Sequence, residues 1–261
     1  MTGFLPRCLF VVAALVACVA SAGSADIPVD QRRSGTADLG RDTKAMQDDD
    51  TANPATLWVL DGEALWSKKA GANRACSDCH GDAAASMKGV ATRYPAFDTA
   101  RKAPVDLEQR INLCRTEKQQ ATPFAFESRE LLALTAFIGR QSRGMAIAPP
   151  ADERLAPALA AGRKLFTQRM GQIDMSCAQC HDDNWGKHLA GSLVPQGHPT
   201  GYPIYRLEWQ SLGSLQRRLR NCMIGMRAEP FDYGAPENVA LEAYLMWRAR
   251  SLPVETPGVR P

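Results

Sequence analysis

Two copies of the motif Cys-x-x-Cys-His constrain this 261-residue chain more than any other feature. The first copy comprises Cys76, Cys79 and His80. The second comprises Cys177, Cys180 and His181. Thiols at this spacing form thioethers with the two vinyl groups of a haem, and the next histidine coordinates the iron. The motifs therefore predict two covalently bound haem c groups, each with one histidine axial ligand.

A redox-active thiol pair and a zinc site are the alternatives for such motifs. A redox pair is typical of a strand–helix–strand context, and alternating strand patterns are scarce in this sequence. A zinc site would need further ligands at short spacing. Because the histidine follows the second cysteine directly in both copies, covalent haem is the interpretation that the residues favour.

The surroundings of each motif recur along the chain. A Tyr-Pro pair stands 20 residues before Cys114, and another stands 20 residues before Cys222. The matching residues are Tyr94-Pro95 with Tyr202-Pro203, Pro123-Phe124 with Pro230-Phe231, and Leu134 and Phe137 with Leu241 and Tyr244. We interpret this order as a tandem duplication. The second copy carries a longer insert, around residues 184–200.

Apolar residues at helical spacing predict an all-α fold of two tandem cytochrome c-like domains. The helical segments lie near residues 56–70, 105–118, 128–141, 152–170, 210–226 and 236–250. We expect the first domain over residues 56–148 and the second, catalytic domain over 149–261. Residues 26–55 are polar and lack an apolar period, which predicts an extended N-terminal arm.

Residues 1–25 have the features of a secretory signal peptide. Arg7 precedes an apolar run from Cys8 to Ala20, and Ala20-Ser21-Ala22 forms a small-residue cleavage site. The alternative is a lipid anchor on Cys18, which follows Leu15-Val16-Ala17. Both interpretations predict a periplasmic protein, and no other segment is apolar enough to span a membrane. The net charge of +3 is not concentrated in a basic block, so we expect no nucleic-acid partner.

The second axial ligand of each iron is the next question. A methionine or histidine is usual, but no such residue recurs at equivalent places in the two copies. The candidates of this kind are Met87, Met145, Met175, Met223, Met226, His188 and His198. We expect both histidines to be surface or loop residues, with a gate or a partner contact as the alternative. Cys114 and Cys222 do recur, each four residues after an arginine on the same helix face, Arg110 and Arg218. Thiolate ligation by these cysteines is our prediction, and a disulfide between them is the alternative.

The paired motifs, the two recurring cysteines and the sequence Arg217-Arg218-Leu219-Arg220-Asn221-Cys222 resemble the SoxA family of dihaem cytochromes. The resemblance covers essentially the whole chain after the signal peptide. It implies that Cys222 is the catalytic residue, as a persulfide, and that Arg218 binds substrate. It also implies His80 with Cys114, and His181 with Cys222, as the axial ligands.

The function implied by the resemblance is the oxidative coupling of thiosulfate to a cysteine of a SoxYZ-type sulfur carrier. Two electrons would leave through haem to a partner cytochrome, and the partner subunit would be a SoxX-type monohaem cytochrome c. Planar guanidinium groups suit the sulfonate oxygens of thiosulfate. Two alternatives remain open, namely a plain dihaem electron carrier and a dihaem peroxidase.

Overall fold

The computed structural model describes residues 26–261. The predicted signal peptide and the alternative lipid anchor at Cys18 therefore lie outside the described residues. Helices make up most of the regular secondary structure, as expected. The helices are α1 (Arg41–Asp48), α2 (Thr56–Ser67), α3 (Cys76–His80), α4 (Ala83–Ser86), α5 (Leu107–Glu117), α6 (Arg129–Arg140), α7 (Ala156–Thr167), α8 (Cys177–His181), α9 (Leu215–Gly225) and α10 (Pro236–Arg248).

Two helix pairs build the frame. Helix α2 packs against α6, and α7 packs against α10. Each contact is close because a glycine faces the partner backbone: a β-carbon at Gly62 would overlap the carbonyl of Ala133, and one at Gly162 would overlap that of Ala240. The two halves thus share one arrangement of helices, and their origin by duplication stays our interpretation of that correspondence.

Each pair closes over its own apolar cluster. In the first half the cluster contains Trp66, Leu134 and Phe137, and in the second it contains Phe166 and Tyr244. Helix α6 is buried on both faces, since every residue from Leu131 to Gly139 is buried. Its other face joins a third cluster with residues from the second half, which ties the halves together.

The expectation of a purely α-helical chain is wrong in detail, because three small antiparallel or mixed sheets are present. They contain β1 (Ala96–Asp98) with β2 (Ala103–Val105), β3 (His188–Leu189) with β4 (Ser192–Leu193), and β5 (Ile204–Arg206) between β6 (Ser211–Gly213) and β7 (Gly258–Arg260). Strands of two or three residues are too short to show an alternating pattern, so they could not be predicted from periodicity. The β1–β2 and β5–β6 hairpins precede α5 and α9 in the same way.

The arm over residues 26–55 is not extended throughout. It contains α1 and two short 3-10 turns, and it packs on the second half through polar side chains. Buried Gln47 accepts a hydrogen bond from the backbone N–H of Val259, and Thr36 donates one to Glu255. Helix α1 is held by buried hydrogen bonds rather than by an apolar stripe, so hydrophobic periodicity could not reveal it.

None of the helices between residues 26 and 261 is long and apolar enough to cross a bilayer.

Candidate functional site

The first Cys-x-x-Cys-His helix borders a cavity of about 520 Å³. Cys76, His80 and Cys114 all line it, and Trp66 lies beside His80 with 5.7 Å between ring centroids. Cys79, the remaining cysteine of the motif, is exposed. The rest of the wall is mostly apolar but includes three guanidinium groups, those of Arg93, Arg110 and Arg115. The structure therefore brings the predicted residues of the first half together.

In this first site the arginine near the recurring cysteine is already paired. Arg110 donates a hydrogen bond from Nη2 to Asp98 Oδ2 at 2.5 Å. The backbone N–H of Arg101 and the Arg110 guanidinium hold the pKa of Asp98 below its ordinary value. Burial raises the pKa of Cys114 even though the charge of Arg110 opposes that shift. An ionised carboxylate thus neutralises the cation of the first site.

The second site gathers the equivalent residues. A hydrogen bond joins His181 to Cys222, and the charge of Cys222 acts on both Cys177 and Cys180. His181 Nδ1 lies 2.7 Å from the carbonyl oxygen of Pro195. Since a carbonyl can only accept, Nδ1 donates, and Nε2 is the ring nitrogen left for a second partner. Pro195 belongs to the insert of the second half, which gives that insert a structural role.

The electrostatics around Cys222 differ from those around Cys114. Burial alone would raise the pKa of Cys222, but the hydrogen bond with His181 and the charge of Arg218 bring it below its ordinary value. The Arg218 side chain forms no hydrogen bond or ion pair with another side chain or carbonyl in the range 26–261. The second site therefore combines a thiol of lowered pKa with a guanidinium one helical turn away that forms no ion pair within the described range.

The structure identifies residues that sequence reasoning missed. Arg206 on β5 lies close enough to Arg218 and Cys222 for their charges to act on it. Arg248 forms a buried ion pair at 2.5 Å with Asp182, the residue directly after His181. The spacing of the Tyr-Pro elements could have revealed Arg206, because it is the counterpart of Asp98. Nothing in the sequence pointed to Arg248 or Asp182.

The two insert histidines differ in burial, although His198 lies in a loop as expected. His188 on β3 is exposed, but His198 is 8% exposed and its Nδ1 lies 2.9 Å from the carbonyl oxygen of Arg33. Burial lowers the pKa of His198 to about 4. The arm covers this histidine, and a contact between segments so far apart in sequence has no local signature.

All six cysteines in the described range are free. The alternative of a Cys114–Cys222 disulfide is therefore not realised, since each of these residues lies with the motif of its own half.

The residues present fit haem. The first cavity lies within the range of about 300–1,000 Å³ typical of ligand sites, and its guanidinium groups suit carboxylate side chains of a macrocycle. At the second site the orientation of His181 leaves Nε2 as an axial donor, in the manner of histidine ligands fixed by a backbone carbonyl.

Helices carrying Cys-x-x-Cys-His beside a cavity of this kind define a c-type cytochrome. A sequence profile of the SoxA/TsdA cytochrome c domain matches residues 61–147 and 161–254. The L-cysteine S-thiosulfotransferase subunit SoxA of Pseudaminobacter salicylatoxidans is 37% identical, over 89% of this chain and 82% of its own length. SoxA of Rhodovulum sulfidophilum is 34% identical, over 88% and 81%. The crystal structure of SoxXA from P. pantotrophus contains a chain that superposes with a TM-score of 0.84 at 32% identity, covering 87% of this chain and 86% of that one. This chain belongs to the SoxA family.

Proposed function

We propose that this protein couples thiosulfate oxidatively to a cysteine of a SoxYZ-type sulfur carrier. It would act in the periplasm as the dihaem subunit of a heterodimer with a SoxX-type monohaem cytochrome c. The observation that carries the proposal is the state of Arg218, which lies one turn from Cys222 and has no ion-pair partner among residues 26–261. Membership of a family whose curated members are named L-cysteine S-thiosulfotransferase subunits supports it.

The cysteine motifs would hold two haems. Cys76 and Cys79 would form thioethers with the first, and Cys177 and Cys180 with the second. The axial ligands would be His80 with Cys114, and His181 with Cys222. When bound, haem supplies a one-electron acceptor that passes electrons on to a partner cytochrome.

The chain's own residues perform the sulfur chemistry. Arg218 binds the sulfonate oxygens of thiosulfate and orients the terminal sulfur toward Cys222. A sulfur–sulfur bond between the Cys222 thiolate and that sulfur forms with the loss of two electrons. The carrier thiolate then attacks the sulfur next to the sulfonate group, and the Cys222 thiolate leaves. The net change is one new sulfur–sulfur bond on the carrier, one proton released from its thiol and two electrons removed.

The covalent intermediate divides one difficult coupling into two displacements at sulfur. A persulfide on Cys222 could carry the same transfer from its outer sulfur. In either form the group that reacts is a sulfur held beside a guanidinium, which suits a dianion with a soft terminal atom.

The test is a transfer assay with the purified heterodimer, a single-cysteine carrier protein, thiosulfate and an oxidised cytochrome c. We expect the carrier mass to increase by one thiosulfonate group, with two equivalents of cytochrome reduced per carrier modified. A protein that exchanges electrons with cytochrome c but never modifies the carrier would be a plain electron carrier, and the proposal would be wrong. Rapid peroxide reduction would instead indicate the peroxidase. The mass of the isolated chain would report haem number and leader cleavage.

A further inference from the structure

The two β-hairpins that precede α5 and α9 place opposite charges beside the two recurring cysteines. In the first hairpin the last residue of the leading strand is Asp98, which pairs in register with Ala103. In the second hairpin the residue at the same place is Arg206, which pairs with Ser211. Each stands three residues after the proline of its Tyr-Pro element. The two hairpins therefore carry opposite charges, Asp98 and Arg206, at the same position.

The consequence in the first half is a closed ion pair. Asp98 accepts from the Arg110 guanidinium at 2.5 Å and from the backbone N–H of Arg101 at 2.8 Å. The side chain of Asp98 is only 10% exposed, so water does not compete for it. Any external anion at Arg110 would first have to displace this carboxylate.

In the second half two cations, Arg206 and Arg218, lie close enough for their charges to repel each other. The Arg206 side chain is only 17% exposed, and the charge of Arg218 opposes its own. Its nearest carboxylate is that of Glu208, 2.8 Å from Nε and 51% exposed. A half-exposed carboxylate is a weak counter-charge for two partly buried guanidinium groups. This arrangement costs free energy, and a bound dianion would recover it.

We infer that Arg206 is a second substrate-binding residue, which together with Arg218 selects small dianions with oxygens at one end. This inference rests on the proposed function and extends it. Two guanidinium groups with donors left over can hold the oxygens of a sulfonate from two sides. The remaining atom of the dianion is then directed toward Cys222, whose charge also acts on Arg206.

The same two arginines would explain a preference for dianions over monoanions. A dianion satisfies both cations, whereas a monoanion leaves one of them uncompensated in a partly buried site. The first half cannot make this distinction, because Asp98 already fills the place of the second negative charge.

The experiment uses the haem-loaded heterodimer with Arg206→Gln, Arg206→Lys and Arg206→Asp. Arg101→Gln is the control, because that side chain is exposed, pairs with Glu117 and removes the same charge. Steady-state kinetics with thiosulfate give KM and kcat separately. Sulfate is a dianion that does not react, so its affinity is measured as an inhibition constant and from the change it causes in the visible spectrum. Chloride is the monoanion used for comparison.

We expect Arg206→Gln to raise the KM for thiosulfate and the dissociation constant for sulfate by about 10- to 100-fold, as for loss of one charged hydrogen-bonding group. The kcat at saturation should change by less than about threefold. Arg206→Lys should restore part of the affinity, because it keeps the charge and loses the planar fork. Arg206→Asp should weaken binding most, because it recreates the closed pair of the first half. Arg101→Gln should behave as wild type.

An unchanged KM and sulfate affinity in both Arg206→Gln and Arg206→Asp, with wild type active, would overturn the inference and leave the proposed function intact. Should wild type fail to couple thiosulfate, the proposed function is wrong, and sulfate binding still tests Arg206. If Arg206→Gln or Arg206→Asp does not fold, Arg206→Lys is used instead. An affinity and a preference for sulfate over chloride equal to those of wild type, also at raised ionic strength, would contradict a two-donor contact from the Arg206 guanidinium.

Discussion

The two halves of this protein share one frame and differ in the charges around one cysteine each. In the first half, Asp98 neutralises Arg110 beside Cys114. In the second half, Arg218 stands beside Cys222 without such a partner among residues 26–261. Cysteine, arginine and helix geometry are common to both halves, so the reactivity proposed for the second half must depend on the residues around them. A single neighbouring carboxylate decides whether the guanidinium is available to an outside anion.

A second difference concerns the histidines. His181 is oriented by the Pro195 carbonyl and is followed by Asp182, which forms a buried ion pair with Arg248. The corresponding residues of the first half are Gly81 and Gln141, which cannot form an ion pair. The second half therefore holds its motif more rigidly, as expected of a site that must keep reacting atoms in place.

The comparison is tested most strongly by removing each cysteine in turn. We expect Cys222→Ala to lower thiosulfate coupling by about 10,000-fold or more, because the nucleophile is lost. Cys114→Ala should lower it by less than about tenfold. The measurement is carrier modification followed by mass spectrometry, with haem content checked in both variants. Comparable losses in the two variants would mean that both halves take part in the chemistry.

The rigidity of the second motif is tested with Arg248→Gln. The side chain of Asp182 is 6% exposed, so the variant leaves a buried carboxylate without its guanidinium. We expect the free energy of unfolding to fall by about 3–5 kcal/mol. Denaturant unfolding of haem-loaded protein measures it, and Arg129→Gln, which breaks an exposed pair with Asp61, is the control. A loss below about 1 kcal/mol would show that the pair does not hold the motif.

The variants Arg218→Gln and Arg110→Gln test which of the two arginines is available to bind an anion. Arg218→Gln should lower kcat/KM for thiosulfate by about 10- to 100-fold, because a charged hydrogen-bonding group contributes about 1.5–3 kcal/mol. Arg110→Gln should retain more activity than Arg218→Gln. It should instead lower the thermal stability, because Asp98 loses its ion-pair partner. The reverse order of the two effects on kcat/KM would mean that the first half binds the substrate.

The smallest expected effect is on the pH dependence of stability. Burial lowers the pKa of His198 to about 4, so the native state keeps it neutral while the unfolded chain protonates it near pH 6.5. The unfolded state then binds more protons, and stability falls as the pH drops from about 6.5 toward 4. The loss should reach about 1–2 kcal/mol at pH 5. The groups that act on His198 are Arg248, Arg32 and Asp182.

Wild type must be compared with His198→Val, the residue that stands four positions before the other Tyr-Pro element. Burial raises the pKa values of the carboxyls of Asp106, Glu108 and Glu242, to about 6 for Asp106. These groups bind protons more readily in the native state, so they increase the free energy of unfolding as the pH falls, opposite to His198. Only the difference between the two proteins isolates the histidine. A difference that does not change with pH between 7 and 5 would contradict the prediction.

Local patterns in the sequence carried most of what could be predicted. The six main helices lie within the segments whose apolar spacing predicted them, because each packs one or more apolar faces into a core. The grouping of Cys222 with His181 followed from the repeat, although their roles stay a prediction. Helix α1, the short strands and the burial of His198 depend on contacts between distant segments. Such contacts leave no periodicity to read.

Arg206 is the instructive omission. The repeat aligned Tyr94-Pro95 with Tyr202-Pro203, and three further positions along the same alignment set Asp98 against Arg206. Searching only for residues that recur hides the position where the copies diverge. A charge that changes sign between two copies of one frame is itself a functional signal.

The arm also has a consequence for how the second site matures. The backbone N–H of Arg33 donates to Gln196 Oε1 across 163 positions of chain, next to the carbonyl that fixes the His181 ring. Contacts of such separation close late in folding, after helices and hairpins have formed. The surroundings of the His181 ring are therefore complete only when the arm and the insert meet.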